Sequence, residues 1–467
     1  MFNRRRSNML DLIEVFERAD NGPLIPDTDY YMNRFVPTLA GIIDRYKIKW
    51  DRQTIVNSDD DLSDRVFQAA IDLIAEAGAY CPDTNRVMEF TRDEILKAAE
   101  QAPKAARFGE GREAKTMYGR GVDEDSIPWI HVGGGIYTTD EQIYLDTVEG
   151  LASINIVDSL SVPAILHLRG KDARVRSPQE LLSAIKTVIL AREGIRRSGR
   201  SGLPIINGIS AAVNSVSMIA AASPQFGLRP SDGFLVDFLA EMMVNYEALQ
   251  KVAYFNSISA NIGSTSTPLF GGYAGGAEGV AVLATSYLIM GNLIYRGSYH
   301  YNAPLHQNLR MSSTKPLLWA IGMSNQANAR SMRYPVVNLP YLGGGAGTRM
   351  YHYEMAAYML SVVPAGGNIF SGHPAKSVEP NSLLPKDHQF HAELGLACAK
   401  FSRKDADPLA RKFFEKYEKL IKDPTPGFRY EQVYDLKTKK IVNADYLKIQ
   451  DEVRAEFKEM GIEVLPS

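Results

Sequence analysis

Short runs rich in β-forming residues alternate with long helical patterns through the middle of the chain, and this alternation constrains the fold more than any other feature. Strands that alternate with helices build βα units around a parallel sheet. Seven or eight such units predict an α/β fold of the TIM (β/α)8 barrel type. The β-rich runs are WIHVGGG, VPAILHLRG, LPIINGIS, VAYFNSISA, LIYRGSYH, PVVNLPYLGGG and NIFSG, with AARFGEG at 105–111 as one more candidate; helical patterns between them include PQELLSAIKTVILAREGIRR and DGFLVDFLAEMMVNYEALQKV.

Helical patterns without intervening strands flank the predicted barrel. In SDRVFQAAIDLIAEAG, the apolar residues from Val66 to Ile74 recur at helical spacing. Thr91 followed by Glu94 forms a capping box at the start of another helix. After residue 400 the pattern is again charged and helical. The sequence therefore predicts an N-terminal helical extension over 1–104, a TIM barrel over 105–400 and a C-terminal helical segment over 401–467.

Composition narrows the functional classes. The 467 residues carry a net charge of −2, which supplies no strong field to attract nucleic acid or an anionic membrane. Cys81 and Cys398, the two cysteines, match no metal or redox spacing, so we expect buried reduced thiols. The N-terminus begins basic, but Asp11 and Glu14 interrupt any apolar core, and it does not resemble a signal peptide. We expect a soluble cytoplasmic protein.

The stretch GGYAGGAEG, residues 271–279, has five glycines in nine positions. Gly271, Gly272, Gly275 and Gly276 permit positive φ and close approach to a large ligand. A βα loop of this kind opens at the barrel mouth, where such barrels place their chemistry. Glu278 follows in the first turn of the next helix. It is either a carboxylate that stabilises the helix N-terminus or a residue that lines the site.

Other motifs carry less weight. The chain has no phosphate-binding P-loop, no dinucleotide fingerprint and no zinc signature, and we predict no metal. His300 and His306 in YHYNAPLH could both reach the mouth, with a structural role favoured over metal binding. Asp237, Glu241 and Asn245 recur at helical spacing. They form either an acid/base face or, more simply, the solvated face of a barrel helix.

The segment PLFGGYAGGAEG (268–279) resembles a signature of the monomethylamine:corrinoid methyltransferases, the enzymes that carry pyrrolysine. Similar segments follow in order along nearly the whole chain: EAGAYCPDTNRVMEFTRDEI, GEGREA, GRSGLP, HYNAPLH, TRMYHYE and EQVYDLKTK. The resemblance implies a TIM barrel, a homo-oligomer and methyl transfer to the cobalt of a corrinoid (cobalamin) on a separate partner protein. It also implies that the glycine loop faces this corrinoid. The chain lacks the D-x-H-x-x-G pattern of cobalamin-binding modules, so we expect no permanently bound corrinoid.

The sequence departs from the family at the residues that activate monomethylamine. Pyrrolysine would fall near Ile206 or Asn207, but every residue of this chain is standard. The two family glutamates that flank pyrrolysine align with Leu235 and Thr265, and a site glutamine aligns with Leu339. The departures predict a pyrrolysine-independent enzyme. A quaternary ammonium donor suits it, because such a donor leaves as a neutral tertiary amine and needs no proton.

Two alternatives stay open: an enzyme that demethylates a non-amine methyl donor, and a non-catalytic paralogue that binds a corrinoid protein or a metabolite. For the enzyme we predict an aromatic cage for the cation, because aromatic faces attract methylated ammonium groups. The preferred cage is Tyr273, Tyr299 and Tyr341, the last a tyrosine that the family also has. The candidate catalytic residues are Glu278 and His300, and the candidate donor-binding residues are Tyr273, Tyr299, Tyr341, Asn207, Thr265 and His306.

Overall fold

The computed structural model describes residues 10–206 and 214–465. The amino-terminal part is mostly helical. Asp11 and Thr91 both open their helices with capping boxes, as the sequence pattern at Thr91 predicts. Its elements are α1 (Leu12–Asn21), α2 (Asp27–Asp29), a π-helix (Tyr30–Phe35), α3 (Val36–Arg45), α4 (Asp60–Ala77), the antiparallel pair β1 (Ala79–Cys81) and β2 (Arg86–Met88), and α5 (Arg92–Glu100).

The middle of the chain alternates strands and helices. Its elements are the hairpin β3 (Ala105–Phe108) and β4 (Lys115–Tyr118), β5 (Ile130–Gly133), α6 (Glu141–Ala152), β6 (Ser159–Ser161), β7 (His167–Leu168), β8 (Lys171–Asp172), α7 (Pro178–Arg197), α8 (Ser215–Ala221), β9 (Gly233–Asp237), α9 (Tyr246–Ser257), β10 (Asn261–Ser266), β11 (Leu269–Phe270), α10 (Ala277–Leu293), β12 (Tyr299–Asn302), β13 (Leu305–His306), α11 (Lys315–Ser331), β14 (Val336–Asn338), β15 (Tyr341–Leu342), α12 (Arg349–Val362), β16 (Asn368–Phe370), β17 (His373–Pro374) and α13 (Pro385–Cys398). The carboxyl-terminal part adds α14 (Arg403–Tyr417), α15 (Tyr430–Val433) and α16 (Ala444–Glu459).

A curled, parallel, seven-stranded sheet forms the centre, in the order β6-β5-β16-β14-β12-β10-β9. Ile205 forms a parallel bridge with Leu160 at one edge of this sheet, and Ile206 forms one with Gly233 at the other edge. Two short parallel pairs, β11 with β13 and β15 with β17, continue beyond the carboxyl ends of the central strands. The sheet thus has a second tier of backbone pairing at the end that the sequence analysis identifies as the mouth.

Large side chains fill the concave side of the sheet. Tyr299 and Tyr301 on β12 pack there with Ile206, and the hairpin residue Phe108 lies against Tyr299 with ring centroids 5.2 Å apart. A Cβ at Gly263 would lie 2.3 Å from the Tyr299 ring, so only glycine leaves room for that ring. The β3–β4 hairpin therefore closes the end opposite to the mouth.

The helix α10 is buried along nearly its whole length, which explains why its sequence is apolar on every face. It packs against α4 and α5 of the amino-terminal part on one side and against the central sheet on the other. The helices α14 and α16 pack on α12 in a similar way. No described helix, among residues 10–206 and 214–465, is long and apolar enough to cross a membrane.

The structure corrects several sequence predictions. The segment DGFLVDFLAE is not helical: its first half is β9, and α9 begins only at Tyr246. The run VAYFNSISA lies mostly in α9, and the strand follows it as β10. AARFGEG forms part of an antiparallel hairpin rather than a barrel strand. In VPAILHLRG the central strand β6 ends just before the run, at Ser161.

Candidate active site

The floor of the mouth is lined by apolar and neutral side chains on the inward face of the sheet. Leu235 on β9 and Leu339 after β14 are half-buried and pack on the interior cluster around Tyr301. Thr265 on β10 is buried, and its Oγ1 lacks a hydrogen bond of good geometry. Residues on a strand alternate between its two faces, so these three positions face the interior as Tyr299 and Tyr301 do. A cation at this floor would meet no carboxylate at Leu235, Thr265 or Leu339.

The carboxylate of the mouth is Asp237. It is the last residue of β9, the register partner of Thr265, and lies on the strand face of Leu235. The side chain of Asp237 is exposed to water at the mouth. The protein atoms packed around the carboxyl group reduce its hydration, and this desolvation raises the pKa of Asp237. Lys251 on α9 and the Thr265 hydroxyl oppose the effect. Asp237 is therefore an accessible carboxyl group that a cation would stabilise in its charged form.

Tyr341 faces the same mouth. It is half-buried, and burial, with a smaller contribution from the charge of Asp237, raises the pKa of Tyr341 to about 12. Its ring stands edge-on to His373, with centroids 5.6 Å apart. His373 Nδ1 is buried without a hydrogen-bond partner, and burial lowers the pKa of His373 to about 4. The mouth therefore offers a neutral phenol and a neutral imidazole beside one carboxylate.

A buried polar network binds the backbone at Ile206, the described residue nearest to the position aligned with pyrrolysine. Tyr301 donates a hydrogen bond to the Ile206 carbonyl at 2.8 Å and contacts His131 Nε2 at 2.8 Å. Ser159 and Ser161 bind the two ring nitrogens of His131. Burial lowers the pKa of His131 to about 3, so this histidine is neutral. Asn207, the neighbouring predicted donor-binding residue, lies outside the described residues.

The glycine loop forms a tight turn at the rim of the mouth. The Gly271 and Gly275 amides donate to the carbonyls of Gly275 and Gly272, respectively. Both residues have positive φ, 84° and 68°, and a Cβ at either position would meet open space. Gly276 precedes α10, and like Gly271 and Gly275 it is exposed. At Gly271 and Gly275 the rim therefore presents backbone atoms without side chains to open space.

The predicted aromatic cage is wrong. Tyr273 lies on the outer surface of the glycine loop and stacks on Tyr31, with centroids 4.3 Å apart and planes at 5°. Tyr299 is fully buried at the closed end, beside Phe108. Of the three tyrosines, only Tyr341 faces the mouth. The prediction failed because Tyr299 begins β12 instead of ending it, and the sequence pattern did not settle the strand's bounds.

The structure also contradicts the prediction that His300 is catalytic. His300 lies on the opposite face of β12 from Tyr299 and Tyr301, so it points toward the helices. Its two ring nitrogens bind the hydroxyl groups of Ser264 and Ser266 at 2.7 and 2.9 Å. It is fully buried, and burial lowers its pKa to about 3. His300 therefore joins two strands behind the site.

Glu278 forms a hydrogen bond with the amino-terminal part of the chain, at Trp50. Its Oε1 accepts a hydrogen bond from the Trp50 amide at 3.0 Å, and the Trp50 ring lies near Trp319 on α11, outside the sheet. The carboxylate also lies in the first turn of α10, where the helix dipole favours negative charge. The structure supports the helix-stabilising role, and the predicted catalytic role lacks support from these contacts.

His306 lies at the second tier of the mouth, in β13. It is half-buried, packs on Phe270 with ring centroids 5.0 Å apart, and its Nδ1 accepts long hydrogen bonds from the amides of Asn308 and Leu309. These hydrogen bonds involve only Nδ1 of His306. A role of His306 in binding the methyl donor, through Nε2, stays a prediction. In the described ranges no group of three or more His, Cys, Asp or Glu side chains is placed to hold a metal ion.

Sequence reasoning missed Asp237 as a site residue. The spacing of Asp237, Glu241 and Asn245 predicts one helical face, but Asp237 ends a strand, Glu241 lies in the following loop, and Asn245 caps α9. The signal that could have identified it is the apolar run Phe234–Val236, followed at once by an acidic residue. A polar residue directly after a buried strand marks the carboxyl edge of a parallel sheet, where such folds bind ligands.

Comparisons with known proteins agree with this architecture. Residues 10–462 match the family model of "Monomethylamine methyltransferase MtmB". MtmB2 from Methanosarcina acetivorans is 25% identical over 453 residues, covering 97% of this chain and 98% of the relative. MtmB3 from Methanosarcina barkeri is 24% identical with the same coverage. The crystal structure of the Methanosarcina barkeri monomethylamine methyltransferase superposes with a TM-score of 0.93 at 23% identity, covering 97% of this chain and 99% of that one.

Proposed function

Because the chain belongs to the monomethylamine methyltransferase MtmB family and is thus a methyltransferase, we propose that it moves a methyl group from a methylated amine to a corrinoid on a separate protein. We further propose that it does so without pyrrolysine and that the donor is a quaternary amine. The observation that carries this proposal is the composition of the mouth. Leu235 and Leu339 make its floor apolar at two positions that the sequence resemblance aligns with polar groups of the family, and the accessible carboxylate is Asp237.

We infer that the central sheet is a closed eight-stranded barrel. Ile205 and Ile206 pair with both edge strands of the seven-stranded sheet, and this pairing supports a short eighth strand between β6 and β9. The Ile206 amide also donates to the Leu160 carbonyl at 2.8 Å, and the Gly233 amide donates to the Ile205 carbonyl at 2.9 Å. A closed barrel brings Asp237, Thr265 and Tyr341 around one mouth.

A corrinoid bound at the mouth would supply a Co(I) nucleophile for the methyl group. The glycine loop fits a flat, large partner, because Gly271 and Gly275 present backbone with open space in front of it. We therefore keep the predicted corrinoid-facing role for Gly271, Gly272, Gly275 and Gly276. The homo-oligomer and the cytoplasmic location stay predictions from the resemblance and the composition.

The residues of this chain then have two tasks: to hold the cation and to exclude water from it. Asp237 attracts the ammonium, and the Tyr341 ring offers a face that stabilises a cation by about 0.5–2 kcal/mol. Leu235 and Leu339 supply apolar contact for methyl groups. A quaternary amine already carries its positive charge and leaves as a neutral amine. The absence of a proton donor at Leu235 and Leu339 is therefore no obstacle to its departure.

A donor panel tests the proposal. Purified protein is mixed with Co(I) cobalamin and with tetramethylammonium, trimethylamine, monomethylamine or a methyl thioether, and loss of the Co(I) absorption band is followed. We expect turnover with a quaternary amine and none with monomethylamine. Turnover of monomethylamine at a comparable rate would refute the assignment of a quaternary amine as the donor. Turnover of the thioether alone would favour a non-amine donor.

A further inference from the structure

A side cavity of about 340 Å³ opens beside Asp237, between the end of β9 and the first turns of α8 and α9. Apolar side chains form part of its wall and charged groups of both signs form the rest. Asp237 belongs both to this cavity and to the mouth. A ligand held by Asp237 could therefore extend into the cavity without leaving the site. Besides Asp237, its lining includes Val175, Arg176, Leu239, Glu247, Ala248 and Lys251.

The charged groups of the cavity balance one another. Lys251 is buried, 7% exposed, and its charge stabilises the carboxylates of Asp237 and Glu247. Glu247 also accepts a hydrogen bond from the Ser215 amide at 2.6 Å and lies 3.5 Å from the exposed Arg176 guanidinium. Two anions and two cations thus face the cavity, and their formal sum is zero.

A donor that is only a cation would disturb this balance. Its ammonium beside Asp237 would add a second positive charge next to the buried Lys251. Charges that are removed from water are costly unless they are paired. A donor that carries its own anion would restore neutrality, because that anion can lie beside Lys251 while the ammonium lies beside Asp237.

We propose that the donor is a zwitterion, a quaternary ammonium joined by a short carbon chain to a carboxylate, and that the side cavity binds the carboxylate through Lys251. This inference rests on the proposed function for the identity of the reacting group. Arg176 at the open edge provides a second cation for a longer chain, and Val175, Leu239 and Ala248 provide apolar contact for its methylene groups. Lys251 is thus a specificity-determining residue.

Binding measured by calorimetry on the full chain tests the proposal without any methyl transfer. The probes are trimethylglycine and 4-(trimethylammonio)butanoate, each compared with its methyl ester, and tetramethylammonium. An acid and its ester differ mainly in the negative charge. We expect at least one acid to bind tenfold or more tightly than its ester and than tetramethylammonium. Equal or tighter binding of both esters would overturn the proposal, and this comparison needs no variant.

A variant assigns the preference to Lys251. Lys251→Met is expected to reduce the ratio of acid to ester affinity to near one, whereas Lys251→Arg retains a preference for the acid. Lys412→Met, on the exposed face of α14, is the matched control and should keep the wild-type ratio. If Lys251→Met does not fold, Lys251→Gln takes its place. A folded neutral variant that keeps the wild-type ratio would refute the role of Lys251.

The outcomes separate this inference from the proposed function. Preference for an acid without methylation of Co(I) cobalamin by any amine would uphold the side-cavity site and contradict the proposed function. Methylation from tetramethylammonium with no preference for either acid would uphold the function and contradict the inference.

Discussion

Asp237 lies two residues beyond Leu235 on β9, so the two side chains occupy the same inward face of the strand. At about 3.3 Å per residue, the carboxylate stands roughly 7 Å closer to the rim than a carboxylate at Leu235 would. Thr265 on β10, the register partner of Asp237, carries no charge, and neither does Leu235. The negative charge of the mouth thus lies nearer the rim than Leu235 does, and the floor at Leu235 and Thr265 carries no charge. This arrangement supports the proposal of a larger and more methylated cation as the donor.

Replacement of Asp237 by asparagine tests the role of this charge. We expect Asp237→Asn to bind trimethylglycine at least tenfold more weakly, because the amide keeps the shape but cannot pair with an ammonium. Calorimetry measures the affinity, and circular dichroism verifies the fold. The exposed Asp423, changed to Asn, is the control and should leave the affinity unaltered. Unchanged affinity in folded Asp237→Asn would remove Asp237 from the site.

Glu278 gives the opposite expectation. Its carboxylate accepts the Trp50 amide and lies in the first turn of α10, so Glu278→Gln should lower the free energy of unfolding by about 0.5–1.5 kcal/mol. The rate of methyl transfer should stay within about twofold of wild type. Urea denaturation and the Co(I) cobalamin assay measure the two quantities. Glu459→Gln, on the exposed end of α16, is the stability control. A large loss of rate with an intact fold would restore the catalytic role.

The alternation of strands and helices was sufficient to predict the class of the fold but not the bounds of its strands. β9 has a pattern, GFLVD, whose apolar residues also fit a helix, and the decisive factor is its pairing with β10, which is a tertiary contact. The same limit explains His300 and Tyr299. Neighbouring residues on a strand face opposite sides of the sheet. If the predicted position of a strand is wrong by one residue, a side chain that faces the helices is therefore predicted to face the interior, and the reverse. Tyr341 rests on the resemblance and not on a periodicity, so this error does not affect it, and its role at the site stays a prediction.

Glu241 should make stability depend on pH. Burial raises the pKa of Glu241 from 4.5 to about 8, so between these values the folded protein keeps a proton that the unfolded chain has lost. The free energy of unfolding contributed by this group therefore falls as pH rises through this window, by roughly 1.4 kcal/mol for each pKa unit. Above pH 8 the carboxylate of Glu241 is charged in the folded protein as well, and the loss of stability from burying it reaches its full size.

Glu241→Gln removes this dependence, because glutamine can still accept the Leu269 amide, now bound by Oε1 at 2.8 Å. We expect the variant to match wild type near pH 5 and to be more stable by roughly 2–4 kcal/mol at pH 9. Urea denaturation of both proteins at each pH gives the difference, in which the contributions of other buried carboxyl groups cancel. Parallel stability curves for the two proteins would show that Glu241 does not hold this proton.

The glycine loop can be tested with a side chain that fits the backbone but obstructs a partner. Gly275 has φ of 68° and open space around its Cβ position, and asparagine tolerates this left-handed conformation better than most residues. Gly275→Asn should therefore fold, with a cost of about 1 kcal/mol or less. If the corrinoid approaches this loop, the variant should methylate free Co(I) cobalamin at least fivefold more slowly while its affinity for the donor stays unchanged.

Gly199 supplies the matched control, since it has φ of 78°, is exposed, and has no atom within 4 Å of its Cβ position. It follows α7, and the next residue, Arg200, binds the carbonyls of Ala152 and Ile154 ahead of β6, at the end opposite to the mouth. Gly199→Asn carries the same backbone strain and the same new side chain, so it should react with cobalamin at the wild-type rate. Equal rates for the two variants would mean that the corrinoid does not approach through the glycine loop. Slower reaction of Gly275→Asn alone would assign the loop to the corrinoid.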